Sequence, residues 1–506
     1  MRCLFASSEI YPLAKTGGLA DVAATLPAAL STMGTDIRLV MPAYTEALDT
    51  AQKKGTAVPL GDVLGVGDVR LIPARTPDTG LFIWLVDCPA LYRRGGGLYV
   101  GPDGEDWPDN AVRFALLCQA VARIALQTTN LDWYPDLVHV HDWHLGLVPA
   151  LLAAHTGTKP ASLLTIHNLA FQGLFPADVY SQLGLPYDCF TTDGVEFFGQ
   201  VSFLKAGIRF ADRLTTVSPR YAREILTPEF GCGLDGLLRV RSRDLVGILN
   251  GIDQRSWSPA DSALVAFPYD ARDLSGKRAC KAAVQRELGL DVDPEAPLIG
   301  YLSRLTEQKM ADVLPGTIPT IVEQRGQLIV HGRGQQWIEQ TLRRIATDHP
   351  GRVAVRIGYD EGLARRILAG ADMLAAPARF EPCGLTQMYA MRFGTLPIVR
   401  RVGGLADSVI DGASRGGMLQ RDMTGFAFQE PTAVALADAI HRACNVYRTP
   451  VVWRAMQLRG MAQDFHWSRS AERYFALYKE LAREEDLARP TVLAEKAIAE
   501  LRPTGT

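Results

Sequence analysis

The chain of 506 residues has no uncharged apolar run of the roughly 18 residues needed to cross a bilayer as a helix. It opens with one arginine, a short apolar stretch and then Glu9, which is not the pattern of a secretory signal. It has no C-x-x-C pair: its eight cysteines are scattered, which argues against a disulfide framework and for a reducing, cytoplasmic setting. It has no charge bias either. Lys+Arg 53 against Asp+Glu 55 leaves a net charge of −2, which argues against a nucleic-acid footprint or a polybasic membrane patch. G-x-x-x-x-G-K-[ST] is absent, so no Walker-type phosphate loop is expected. No fixed-period repeat is visible.

What is present is a globular composition, 47% hydrophobic and 21% charged, in a chain too long for one core. Two domains are expected. Short apolar segments alternate with longer amphipathic ones: "RCLFAS", "DIRLVM", "LFIWLV", "DLVHVH", "SLLTIH", "RLTTVS" and "LVGILN" in the first half, then "LIGYLS", "GQLIVHG", "VAVRIG", "DMLAAPA" and "TLPIVR" in the second. That rhythm predicts parallel sheets with helices on both faces, an α/β protein of two doubly wound domains with a cleft between them. The polar, proline-containing "NGIDQRSWSPADSALVAFPYDARD" marks the junction, giving domains at 1–255 and 256–465. Residues 466–506 read as a long amphipathic helix that crosses back to the first domain, ending in a frayed "RPTGT".

In such folds ligands bind beyond the carboxyl ends of strands, and several unusual stretches fall there. "KTGGLADV" at 15–22 follows the first strand and opens a helix, so it reads either as an anion site on helix N–H groups or as an ordinary strand-to-helix turn. "SRLTEQK" puts Arg304 and Lys309 in one loop, suited to a diphosphate or simply solvated. "RFEPCGLTQMYAM" sets Glu381 before a helix start at Gly384, Leu385 and Thr386: an anion site with a carboxylate for sugar hydroxyls, or a capped helix. "HVHDWH" offers His139, His141, Asp142 and His144 as metal ligands, but not at the spacing of a zinc signature; a polar pocket wall is the better reading. Asp291 and Asp293 form a D-x-D ahead of a strand, the wrong end for a site, and "HGRGQQ" reads as a strand-to-helix turn.

Taken in order, "KTGGLADV", "HVHDWH", "TIHNLAFQGLFP", "FLKAG", "PEFGCGLDGLL", "GILNGID", "SRLTEQK", "RIGYDEGLA", "RFEPCGLTQMYAMRFGTLPIVRRVGGLADSV" and "TGFAF" resemble the bacterial glycogen synthase and plant starch synthase family over roughly residues 1 to 480. The resemblance implies the GT-B fold and a retaining glucosyl transfer from ADP-glucose to the non-reducing end of an α-1,4-glucan. It implies no metal and no other cofactor, and as partners a nucleotide sugar and a glucan, without nucleic acid or membrane. Catalytic roles are implied for Asp142, His167, Arg304, Lys309 and Glu381. Lys15, Gly17 and Gly18 would line the donor and diphosphate region, with Asp21 bordering the glucose and acceptor. Asn168 would sit by the reacting sugar and Asn250 would support its site. Tyr359 would stack on the base, and Cys383, Gly384, Leu385 and Thr386 would meet the phosphates. Two other classes stay open at this point: a GT-B transferase with a small acceptor, and a weakened paralogue that binds glucan or nucleotide.

The chain departs from the family at "QKMADVLPGTIPTIVEQRG". Met310 stands where glycine is expected, and Pro315, Gly316 and Pro319 follow. A distorted or late-starting helix after Lys309 is predicted, with a changed backbone at Met310 and weaker donor use, relieved by Met310→Gly with Pro315→Leu.

Overall fold

The computed structural model describes residues 1–500 except 262, 264 and 412–421, with side chains through residue 483. The expected tail "RPTGT" lies outside the described residues. Contacts divide the chain into two compact units. Unit 1 takes Met1–Val217, Ala222–Ile248 and the segment from Trp467 onward; unit 2 takes Leu249–His466 with the short piece Ser218–Tyr221.

Short, mainly apolar segments make the central strands of unit 1. Arg2–Ala6 is buried at all but its first residue and Leu137–His141 at every residue, the pattern of parallel strands covered on both faces. Among the described residues its main sheet has ten strands. Leu245–Gly247, Arg213–Thr216, Ala161–Ile166, Leu137–His141, Arg2–Ala6, Asp36–Pro42 and Phe82–Asp87 lie side by side in that order, all parallel. The expected parallel sheet ends there. Asp68–Arg75, Val58–Asp62 and Gln52–Lys53 extend it antiparallel. Their alternating burial and their prolines, Pro59 and Pro73, suit an edge with one wet face. A separate three-stranded sheet joins Leu174–Pro176, Gln200–Ser202 and Glu196–Phe197. The helix Gly18–Thr32 packs against the one that starts at Trp467, and the helix Asn110–Ala125 is buried over most of its length.

Among the described residues, unit 2 has one six-stranded parallel sheet in the order Val353–Ile357, Gln327–Gly332, Leu298–Leu302, Met373–Ala376, Leu396–Arg400 and Phe426–Phe428. Both sheets reverse direction beside their first strand. Arg2–Ala6 lies between Asp36–Pro42 and Leu137–His141, and Leu298–Leu302 lies between Gln327–Gly332 and Met373–Ala376. The loops leaving these pairs of strands diverge and open a crevice, the usual place for a ligand in a doubly wound sheet.

The interruption expected after Lys309 is present. A 3-10 helix covers Ala311–Thr317, and the α-helix begins only at Ile318, with Pro319 in its first turn where a missing N–H does no harm. The expected change of backbone at Met310 is corrected. Met310 takes the left-handed conformation itself (φ 53°, ψ 30°), and its side chain is fully buried with Tyr301, Leu305 and Leu314. Burial of the thioether holds a backbone that glycine would adopt without strain.

Candidate active site

In unit 1 the first strand leads into Ser7, Ser8 and Glu9. Glu9 is buried, and its Oε2 accepts the N–H and hydroxyl of Thr16 and the N–H of Gly17. Gly17 caps the helix Gly18–Thr32. The "KTGG" turn is therefore built around an internal carboxylate, held by Thr16 and Gly17 just ahead of the helix. Burial holds the Glu9 carboxyl above its ordinary range, against the pull of these bonds. On the outer side, Lys15 Nζ pairs with Asp21 Oδ1 at 2.7 Å. A Cβ placed on Gly17 would meet no atom of the described residues within 4 Å, so the turn leaves room for a ligand at its backbone.

The adjacent strand ends at His141, and Asp142 follows with φ 56° and ψ −171°, a conformation strained for any residue but glycine. This bend turns Asp142 Oδ1 to the N–H groups of His167 (2.7 Å) and Asn168 (3.4 Å), at the end of the next strand, Ala161–Ile166. Burial pushes its carboxyl up to about 7, and the charge of Glu9 adds to the shift.

The histidines of "HVHDWH" have other partners than a metal. His139 joins Tyr478 Oη through Nδ1 and Thr165 Oγ1 through Nε2, both at 2.6 Å. His141 Nδ1 meets His167 Nε2 at 2.9 Å. His144 stacks on Trp143 (ring centroids 4.1 Å apart) and Tyr99 (4.6 Å). Burial lowers all four rings, His144 and His167 to about 3, so they are neutral near pH 7. Among the described residues no group of three or more His, Cys, Asp or Glu is arranged to hold a metal ion.

In unit 2 the loop after Leu298–Leu302 carries Arg304, which is exposed, and Lys309, whose ammonium forms an ion pair with Glu381 from the loop after Met373–Ala376. The two loops are pinned by close backbone approach. A Cβ on Gly332 of "HGRGQQ" would lie 1.9 Å from Ser303 O, and one on Gly404 2.2 Å from Cys383 O. "HGRGQQ" thus braces the Arg304 loop, and "VGG" braces the Glu381 loop. Gly384 has a left-handed φ of 69°, and the Gln387 amide caps the carbonyls of Cys383 and Gly384 ahead of the short helix Thr386–Arg392, whose cap is Leu385. The Cys383 thiol is pushed up to about 12 by burial and accepts from the Asn250 backbone; it is no nucleophile. Asn250 Oδ1 is buried with no hydrogen-bond partner among the described residues.

The structure thus joins Lys15 to Asp21, Asp142 to His167 and Asn168, Lys309 to Glu381, and Cys383 to Asn250. Tyr359 follows the edge strand Val353–Ile357, two places along the sheet from Leu298–Leu302. It is 75% exposed, and its hydroxyl lies 3.3 Å from Glu361 Oε2. The D-x-D is spent on a turn, with Asp293 Oδ1 accepting from Glu295 and Ala296. Sequence reasoning missed Glu9 and Tyr99, whose hydroxyl meets Ser8 Oγ at 2.8 Å. The signal for Glu9 was an acidic residue in the loop that leaves the first strand.

Residues 2–240 match the family model for the starch synthase catalytic domain, and residues 296–445 match that for glycosyl transferases group 1. The chain is 53% identical to a glycogen synthase of Burkholderia thailandensis over 94% of its length and 90% of the relative's. It is 49% identical to a glycogen synthase of Thioalkalivibrio sulfidiphilus, over 95% and 100%. Among solved structures, the catalytic domain of starch synthase IV from Arabidopsis thaliana, bound to ADP and acarbose, superposes with a TM-score of 0.84 at 30% identity, covering 95% of this chain and 99% of that one.

Proposed function

This chain belongs to the family of bacterial glycogen synthases and plant starch synthases, and from that membership we propose how its residues share the work of glucosyl transfer. The enzyme has the GT-B fold and is a retaining transferase that moves glucose from ADP-glucose to the non-reducing end of an α-1,4-glucan. A small-acceptor transferase and a weakened paralogue are not favoured.

The observation that carries the division of roles is the placement of Arg304, Lys309 and Glu381 on the two loops that leave unit 2's reversal point. When the bond from the anomeric carbon to phosphate breaks, negative charge builds on the departing diphosphate. Arg304, Lys309 and the backbone N–H groups at Cys383, Gly384, Leu385 and Thr386 stabilise it without reorganising. Glu381 holds sugar hydroxyls and, by pairing with Lys309, keeps the ammonium in place before the donor arrives. The exposed ring of Tyr359 stacks on the base. Asn250 Oδ1, buried and without a partner among the described residues, accepts a hydrogen bond from a sugar hydroxyl.

In unit 1, Asp142 fixes the backbone of His167 and Asn168 beside the reacting sugar. Lys15, Gly17 and Gly18 line the donor region, with Asp21 toward the acceptor. The acceptor hydroxyl oxygen bonds the anomeric carbon on the face the phosphate leaves, and its proton passes to the departing phosphate oxygen. Retention then needs no carboxylate beneath the ring.

No metal is required in this reading, since cations and N–H groups take its place. The eight cysteines are free thiols, in keeping with a cytoplasmic protein, and among the described residues no helix is long and apolar enough to cross a membrane. The test is incorporation of labelled glucose from ADP-glucose into glycogen, with a chelator and without added metal. Full incorporation is expected; a rate that a chelator abolishes and a divalent ion restores would overturn the metal-free assignment.

A further inference from the structure

The bond between His141 Nδ1 and His167 Nε2, 2.9 Å long, joins two rings that burial keeps neutral. Such a bond needs one N–H and one lone pair, so it has two possible polarities. They differ in what they leave at the far nitrogen of His141. That atom, Nε2, is buried with no hydrogen-bond partner among the described residues. The ring is walled in by Phe5, with centroids 4.3 Å apart, and by His139, at 4.2 Å. His139 cannot serve it, because both its nitrogens are engaged by Tyr478 and Thr165, and Thr165 is further tied to Thr215 at 2.6 Å.

If His167 were the donor, His141 would carry its proton on Nε2 and bury an N–H with no acceptor. If His141 is the donor, only a lone pair is left over. Orphaned buried N–H groups are the rarer and costlier of the two. The tautomer of a neutral histidine follows from the bond its other nitrogen makes. With Nε2 of His167 accepting, its proton sits on Nδ1. No group among the described residues bonds that nitrogen, but His167 is only partly buried and its Nδ1 is not sealed from solvent as His141 Nε2 is, so this N–H is not an orphan.

We propose that His141 is a positioning residue: it donates Nδ1–H to His167 Nε2 and so holds His167 in the Nδ1–H tautomer, which offers that N–H to an oxygen of the transferred sugar. Asp142 fixes the backbone of the same residue through the His167 N–H, so main chain and ring are set by consecutive residues of one strand end. The offer to the sugar rests on the reading of His167 given above. The tautomer does not.

The experiment labels the nine histidines with ¹⁵N and reads the tautomer of His167 by long-range ¹H–¹⁵N correlation near pH 7.5, assigned with His167→Gln. The intact protein is expected to show the Nδ1–H form. His141→Leu should release it to a mixture of tautomers and lower kcat by roughly 10- to 100-fold, the range for losing a group that orients a working imidazole. KM for ADP-glucose should change less. His141→Asn, whose amide nitrogen can stand at the Nδ1 position and donate, should restore both the tautomer and most of kcat. An Nε2–H tautomer in the unaltered protein overturns the proposal, and that measurement needs no variant to fold. An unchanged tautomer in a folded His141→Leu overturns it too. The expected tautomer shift with undiminished kcat would leave the role of His141 standing and remove His167 from the sugar.

Discussion

Asp142 is a carboxylate kept from water, in a strained backbone, with a second carboxylate, Glu9, near enough to raise it further. Its folded-state value of about 7 lies above the ordinary carboxylate range, so the native state holds this proton more tightly than the unfolded chain. The stability linked to that proton is complete at acid pH below the unfolded value, and is lost as pH rises through about 7. Asp142→Asn removes the loss. Urea denaturation should find the variant more stable than the parent by about 1–3 kcal/mol at pH 8, with a smaller gain or none at pH 4. Turnover should fall, because the uncharged amide holds His167 and Asn168 less firmly. The Lys309–Glu381 pair leads to a second expectation. Lys309→Met strands a carboxylate where a diphosphate must go, and Glu381→Gln loosens the ammonium. Each should lower kcat by about 10²-fold or more, as should Arg304→Ala. The Lys309→Met/Glu381→Gln double variant should be little worse than the worse single, because the two act as a unit. Strict additivity in kcat would show that they act separately.

At the level of elements, the segment after Lys309 shows how a local departure is absorbed. The expected gain in kcat/KM from Met310→Gly with Pro315→Leu loses its premise, since Met310 already has the left-handed backbone. Met310→Gly relieves some backbone strain but empties a fully buried site. The net expectation is a loss of about 1–3 kcal/mol in denaturant unfolding, with kcat/KM unchanged within about twofold. The parallel strands were legible from sequence because a strand buried on both faces is a largely apolar run: "LIGYL" is one, and "LVHVH" departs from it only at the two histidines that its neighbours satisfy. The antiparallel edge was not legible, because "DVRLIPAR" alternates weakly and carries a proline. The strand Phe426–Phe428 is only three residues long and offers no periodicity to read. In the site, residues attached to one motif were legible one by one, whereas their partners were not. Glu9 reaches Thr16 and Gly17 only because the loop doubles back, and the pairing of Lys309 with Glu381 depends on two loops braced by glycines 332 and 404. Spacing along a chain does not encode either closure.

Over the whole molecule, unit 1 is assembled from pieces far apart in the chain: its early strands, and a last helix that brings Tyr478 to His139 and packs on the helix Gly18–Thr32. On a ribosome, everything between Leu249 and His466, 218 residues, must emerge before that helix exists. At roughly 5–20 residues per second this is a wait on the order of 10–40 s. During it, His139 has no Tyr478, and the apolar face that the last helix covers is open. The later-made unit 2 has its whole sheet between Leu298 and Phe428, so it can close that sheet first. A chain stopped after His466 should therefore show fast amide hydrogen exchange in Arg2–Ala6 and Leu137–His141, while Leu298–Leu302 and Leu396–Arg400 stay protected. Equal protection of both sheets would mean that the early strands do not need the last helix. The order of translation thus makes the amino-terminal half the last to be finished, and the nascent protein depends on its final segment arriving before its first strands find another partner.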